Sequence, residues 1–437
     1  MKSPMNARQL LLVLIVGIIG VCGIQSAGAA EFVPGKTYDK TNVHEIRDML
    51  MQSIFLWVTE DQYAVKTATI DGYGQNSKFL ELSKQNEGVY GFNKNGNLIV
   101  KATGKAPTYI EGLPFPAIDT SDPRAGYQIV ENYFASKMWH EGTNGYGGRV
   151  LWIGRNKVER KVFTSQVVLP FLNRRRGELS NPNGYRQLDM SYVTSPMEVK
   201  GTTQMSYVFL DDREDSAFAF VPAIRRVRRV SAATRSDPFL GSDATVDDTT
   251  GFQGKVSSMD WKLIGETTIL APFSTAKTVT LPINPDGSYT KVYDTPVKYG
   301  FEDESWQGPA YSPISVIWVP RQAYIVEAVP KDPYYNYSKQ IVYFDKKTSQ
   351  MLEKEMYNRA GEFWKTLLLV KKKTVLSNGE IVLAGSDVEF YMDWKAKHAT
   401  AGILESVQGQ ITIDGNIPIN RINAKFFTEA NLKQITK

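Results

Sequence analysis

The residues best equipped for chemistry lie between Phe218 and Phe252, in FAFVPAIRRVRRVSAATRSDPFLGSDATVDDTTGF. Arg225, Arg226, Arg228 and Arg229 follow Pro222 in close succession, and Arg235 comes shortly after. Behind them the acids Asp237, Asp243, Asp247 and Asp248 are spread along a loop containing Pro238 and Gly241. Guanidinium groups bind carboxylates and phosphates through paired N–H donors, so the stretch can brace itself or meet an anionic head group. Asp243, Asp247 and Asp248 could instead gather round a calcium ion. Pairing with Arg225 to Arg235 is the plainer reading, because both signs are already present locally. A loop of this length without regular structure is unusual in a compact domain and points to a functional segment.

Elsewhere the sequence offers little reactive chemistry. His44, His140 and His398 are far apart, and none has a ligand partner at helical spacing, so no metal site is expected. There is no G-x-S-x-G elbow, no Walker-type glycine loop and no H-E-x-x-H. Gly145-Tyr146-Gly147-Gly148 lacks the third glycine and the helix of a dinucleotide fingerprint, and reads as a turn. Nothing in the spacing of carboxylates favours a paired-carboxylate hydrolase. The single cysteine, Cys22, falls in the N-terminal apolar run, which leaves no disulfide, thiol nucleophile or thiolate site for the rest of the chain. The expectation is a chain with no cofactor and no catalytic centre.

That N-terminal run begins after Lys2 and Arg8, extends from Leu10 to Ile24 and ends in Ser26-Ala27-Gly28-Ala29-Ala30. It reads as a secretory signal peptide over residues 1–30, cleaved after Ala29 or Ala30. An uncleaved anchor is the alternative; a lipoprotein reading of Cys22 suffers because Val21 sits where a small residue is needed. Without Lys2 and Arg8 the 51 basic residues become 49 against 46 acidic, a net +3. That balance gives no reason to expect nucleic acid binding. No later apolar run approaches the ~20 residues of a membrane helix, so a soluble mature protein is expected.

The chain as a whole has 42% hydrophobic and 11% aromatic residues, enough for its mature part to fold as one domain over residues 31–437. Its first part, 31–145, reads as helical and extended. Asn42 with Glu45 resembles a capping box opening a helix to about Tyr63, whose apolar stripe includes Ile46, Ile54 and Trp57. Val89–Phe92 and Leu98–Lys101 flank a hairpin turn at Asn93–Asn97, and Asp122-Pro123 opens a second helix, Ala125 to Met138. From Gly147 the pattern is strand, apart from a polar excursion over residues 272–313; Thr428 to Gln434 reads as a short terminal helix. About a dozen or more strands, mostly joined by hairpins, imply a large antiparallel sheet that must curl or close. In Thr203–Leu210, Met205, Tyr207 and Phe209 share a face, and Phe218 and Phe220 share one on the next strand.

Three stretches carry a family resemblance. Pro222, Arg225, Arg226, Val227, Arg228, Arg229, Arg235, Ser236, Asp237, Phe239, Gly241, Ser242, Asp243 and Asp247 resemble a signature of Gram-negative periplasmic proteins often labelled outer-membrane lipoprotein-sorting proteins, relatives of the LolA and LolB carriers. Ala244 and Val246 depart from it, standing where that group usually has aromatic residues. Gly112-Leu113-Pro114-Phe115-Pro116, with Asp122-Pro123 and Ala125-Gly126, resembles a branch known as a domain of unknown function. Tyr337–Asp345 with Met351–Gly361 resembles the family's C-terminal hairpins, and the strand residues Met259–Gly265 fit the family as well.

The resemblance implies a mainly β (α+β) fold: a strongly curved antiparallel half-barrel whose concave face is covered by the N-terminal helices. It implies a non-enzymatic periplasmic carrier or sorting factor for a lipid, lipoprotein acyl group or other apolar cargo bound for the outer membrane. An inner- or outer-membrane export component and peripheral membrane contact are the partners that fit. Met205, Tyr207, Phe209, Phe218 and Phe220 are the expected cavity lining, with Ile54 and Trp57 in the cover; ordinary core packing is the alternative for each. The competing reading of the chain is a structural or partner-binding envelope protein with a filled core. An enzyme acting on envelope lipid or glycan through Asp243 or Asp247 ranks third.

Overall fold

The computed structural model describes residues 32–60, 63–230, 233–292, 296–404, 410–413 and 422–435. The expected signal peptide, residues 1–30, lies outside the described residues. The principal strands are β1 (Asn144–Ile153), β2 (Val158–Pro170), β3 (Tyr185–Ser195), β4 (Thr203–Phe209), β5 (Ser216–Val221), β6 (Arg226–Val230) and β7 (Met259–Phe273). They continue with β8 (Ile317–Pro330), β9 (Tyr337–Asp345), β10 (Met351–Asn358), β11 (Phe363–Val370), β12 (Val388–Asp393) and β13 (His398–Leu404).

β1 to β6 form one antiparallel meander, and β7 to β13 form another. The first and last of these strands, β1 and β13, join the two meanders, with Leu151 opposite Ala401. The ladder therefore ends in β6 on one side and β7 on the other. Twist accumulates over so many strands and curls the sheet. The far end of β7 comes back to the end of β11: Lys371 N–H donates to the Pro272 carbonyl and Ser274 N–H to the Lys371 carbonyl, each at 2.9 Å. The architecture is a large, curved, open sheet with few helices.

β8 is continuous, and Pro320 sits inside it. On one flank β9 covers Ala323–Ala328, and the short parallel strand Val65–Thr67 covers Ile317 and Trp318. Pro320 falls in the gap between these two partners, where a missing N–H breaks no ladder bond. The hairpin around Asn93–Asn97 forms as expected, pairing Tyr90–Phe92 with Leu98–Val100. The excursion 272–313 contains the short strands Val279–Leu281 and Tyr289–Val292.

The helices are α1 (Gln52–Glu60), α2 (Ser77–Ser83), α3 (Ala125–Glu141) and α4 (Glu429–Gln434). The run expected as one helix from Asn42 is broken: Val43–Met49 is a 3-10 segment, Leu50 is extended, and the Asn42 side chain makes no cap bond. α3 is buried almost throughout, and its start rests on β7. A Cβ on Gly126 would lie 2.5 Å from the Trp261 carbonyl oxygen, so only glycine permits that approach.

Strand alternation assigns the two faces. Leu367, Leu369 and Tyr391 pack with Tyr133, Phe134 and Met138 of α3, on what we call the inner face. Leu368, Val370, Phe390 and Met392 pack with Ile54 and Trp57 of α1 on the outer face. The Trp57 ring stacks on Tyr63 at 4.3 Å and on Phe390 at 5.8 Å. Of the two N-terminal helices expected over the concave side, α3 thus lies on the inner face, whereas α1 lies on the other. No helix among the described residues is long and apolar enough to cross a membrane.

Candidate functional site

Because β6 and β7 are the two ends of the ladder, the chain between them must cross the inner face. Residues 233–258 do so as a strap held by its own acids. Asp247 Oδ1 accepts from Arg235 Nε at 2.6 Å and its Oδ2 from the Tyr335 hydroxyl at 3.0 Å. Asp248 Oδ1 accepts from Lys354 Nζ at 2.6 Å, and its Oδ2 from the Tyr337 and Thr245 hydroxyls, each at 2.7 Å. Asp243 Oδ2 meets His398 Nδ1 at 2.6 Å and the Thr400 hydroxyl at 2.7 Å. The three carboxylates face separate partners and do not converge on a common point. Among the described residues no cluster of His, Cys, Asp and Glu could hold a metal ion.

These anchors alter the ionisation of the groups involved. Burial alone would raise the Asp248 carboxyl, but the Lys354 charge and the hydrogen bonds outweigh it and hold the group below the usual carboxylate range. The hydrogen bond to Asp243 outweighs burial at His398 and raises its imidazole above the usual value. Gly251 has φ of +104°, and a Cβ there would lie 2.6 Å from Met351 Sδ, so the strap can touch the sheet only at a glycine.

Between the strap and the inner face of β1 to β4 lies a cavity of about 140 Å³. Gln166, Gln187, Asp189, Ser191, Gln204 and Ser206 supply its floor, and Glu389, Tyr391 and Thr400 extend it beyond the seam. Arg235, Phe239, Val246 and Gln253 roof it, while Val150 and Val208 add apolar surface. The lining is therefore mixed, rich in amides and hydroxyls. Tyr146 donates to Gln166, whose amide donates in turn to Asp189. Burial pushes the Asp189 carboxyl up to about 6 against that hydrogen bond, and burial likewise raises Glu389. A second opening of about 460 Å³, bordered by Asp215, Lys255 and Tyr335, shares Arg235 with the first.

Five residues expected to line a cavity lie elsewhere. Met205, Tyr207, Phe218 and Phe220 belong to an outer-face cluster with Ile422, Phe427 and Leu432, and the Tyr207 hydroxyl donates to the Phe427 carbonyl at 2.7 Å. Phe209 stacks on Tyr185 at 5.4 Å. Alternation puts Gln204, Ser206 and Val208 on the opposite, cavity side of the same strand. Ile54 and Trp57 lie on the buried side of α1, sealed in the outer-face core. Arg225, Arg226, Arg228 and Arg229 are exposed on the β5–β6 hairpin, and Arg229 Nη2 donates to the Ser216 hydroxyl at 3.3 Å. Of the five arginines, Arg235 alone meets an aspartate of the strap among the described residues.

The family described as protein of unknown function (DUF1329) matches residues 38–433. The chain belongs to that family. Among solved structures this DUF1329 chain is similar to a candidate outer membrane lipoprotein-sorting protein domain from Vibrio parahaemolyticus. The identity is 14%, covering 71% of this chain and 100% of that one, with a TM-score of 0.47. It is also similar to a DUF1329 family protein from Desulfovibrio piger (16% identity, 70% and 100% covered, TM-score 0.45). A LolA superfamily protein from Nitrosomonas europaea shows 10% identity over 70% of this chain and 98% of that one, with a TM-score of 0.42. No curated protein matches the sequence.

The cavity residues of this DUF1329 member escaped the sequence reading because they are small amides and hydroxyls scattered over several strands. One signal was available. The apolar tail residues Ile422, Phe427 and Leu432 need a partner, and the aromatic face of β4 and β5 is that partner.

Proposed function

We propose that this chain is a non-catalytic periplasmic carrier for an amphipathic envelope molecule, a lipid or an acylated cargo, held between the strap and the inner face of the sheet. The observation that supports this is the cavity roofed by a segment tied to both ends of the ladder. Its amides and hydroxyls suit the hydrogen-bonding part of an amphiphile, while Val150, Val208, Phe239 and Val246 suit the adjoining hydrocarbon. Each methylene buried there contributes roughly 0.8 kcal/mol, so a chain of modest length offsets a partial lifting of the strap. Native mass spectrometry of freshly purified protein tests the reading directly. A co-purified lipid is expected; delipidated protein that takes up no fluorescent fatty acid or lipopeptide at micromolar concentration would sink it.

A second reading, a partner-binding envelope protein, is favoured by the filled aromatic cores of the outer face around Trp57 and Met205. Recovery of a stable protein partner from a chain that carries no lipid would decide for it.

A further inference from the structure

Three hairpin turns lie at one end of the first meander, because Ile153 pairs with Val158, Phe163 with Ser195 and Thr203 with Phe220. They span residues 154–157, 196–202 and 222–225. Large apolar side chains face solvent there: Met197 is 78% exposed, Ile224 44% and Val221 37%. Arg225, Arg226 and Arg228 surround the last two, all exposed and with no carboxylate partner among the described residues. Lys157 and Lys161 are exposed on the β1–β2 hairpin, at the same end of the meander. Against these cations stand Glu159, 3.6 Å from His398, and Glu198.

Arginines on an end strand also deter edge-to-edge pairing. That role does not call for Met197, Val221 and Ile224 to be held in water beside them. Apolar tips flanked by guanidinium groups are complementary to the boundary of a bilayer, where phosphates lie just above hydrocarbon. We propose that this end of the sheet docks on an anionic phospholipid surface. The arginines pair with lipid phosphates, and Met197, Val221 and Ile224 enter the interfacial layer. Such docking would bring the carrier to a membrane, yet it does not depend on what the cavity holds.

The test is co-sedimentation of the full chain with vesicles containing phosphatidylglycerol, or with phosphatidylcholine vesicles. Binding to the anionic vesicles alone, weakened by salt, is expected. The triple variant R225E/R226E/R228E should lose binding by on the order of a hundredfold, since each basic side chain is worth roughly fivefold at such a surface. V221S/I224S should weaken binding at unchanged charge. All five positions are surface-placed, and near-UV circular dichroism checks that the fold is retained. Ser206→Leu, a cavity variant, should leave vesicle binding unchanged, which separates this proposal from the carrier reading. Equal binding to both vesicle types, or full binding by the triple variant, overturns it. Loss of a protein partner in the triple variant without any change in vesicle binding would make the surface a protein interface instead.

Discussion

Arg235 Nε stands 2.6 Å from Asp247 Oδ1, and the same guanidinium borders both the cavity beneath the strap and the larger opening beside it. One ion pair thus forms the partition between two spaces. Asp247→Asn removes its charge while keeping the shape. Amide exchange within residues 233–258 should speed up more than exchange in β10 and β11, which hydrogen–deuterium exchange can resolve peptide by peptide. Uniform acceleration across the sheet would contradict a local role.

The Asp248–Lys354 pair is nearly inaccessible to water, each side chain being 1% exposed. Lys354→Met should cost about 3–5 kcal/mol in urea unfolding, because Asp248 is left charged and buried. Adding Asp248→Asn to that variant should recover part of the loss, since the uncompensated charge then disappears. Asp248 also sets a limit on the acid side. Its folded value lies below the usual one, so its contribution is present above the ordinary carboxylate range and is lost as pH falls through the folded value.

His398 acts in the opposite sense. Its folded value is raised, so its contribution is full below the ordinary imidazole value near 6.5 and is lost as pH rises through the folded value. The melting temperature of the wild type should therefore fall, relative to His398→Gln, as the medium passes from mildly acidic to alkaline. Parallel curves for the two proteins would show that the Asp243 contact carries no such dependence.

Met205 and Ser206 are neighbours in sequence with opposite assignments. Ser206→Leu fills part of a cavity of about 140 Å³ and should weaken amphiphile binding by roughly tenfold or more with little change in stability. Met205→Ala opens a hole in the outer-face cluster and should cost about 2–5 kcal/mol while leaving binding intact. Fluorescent ligand titration alongside urea denaturation distinguishes the two; the reverse pattern would exchange the faces.

These neighbours also show where sequence reasoning stops. The first hairpin was legible because turn residues act locally: Asn93–Asn97 announces itself without tertiary help. The alternation of β4 was legible as well, and it correctly groups Met205, Tyr207 and Phe209. Which group faces inward is decided by Phe427 and Leu432, far along the chain, because both faces of this sheet are covered. Partners of the strap acids were hidden for the same reason. Charge density made the nearby arginines look sufficient, whereas Asp243 finds His398, 155 residues away, and Asp248 finds Lys354, 106 residues away.

The pairing of Leu151 with Ala401 has a consequence for biogenesis. β13 follows its neighbour β1 only after a long stretch of intervening chain, so until it arrives the first meander carries a raw border with unmet peptide groups. Such distant closure is slow and exposes the chain to self-association. A protein truncated before His398 would keep that border permanently, and should aggregate rather than persist as a smaller soluble unit.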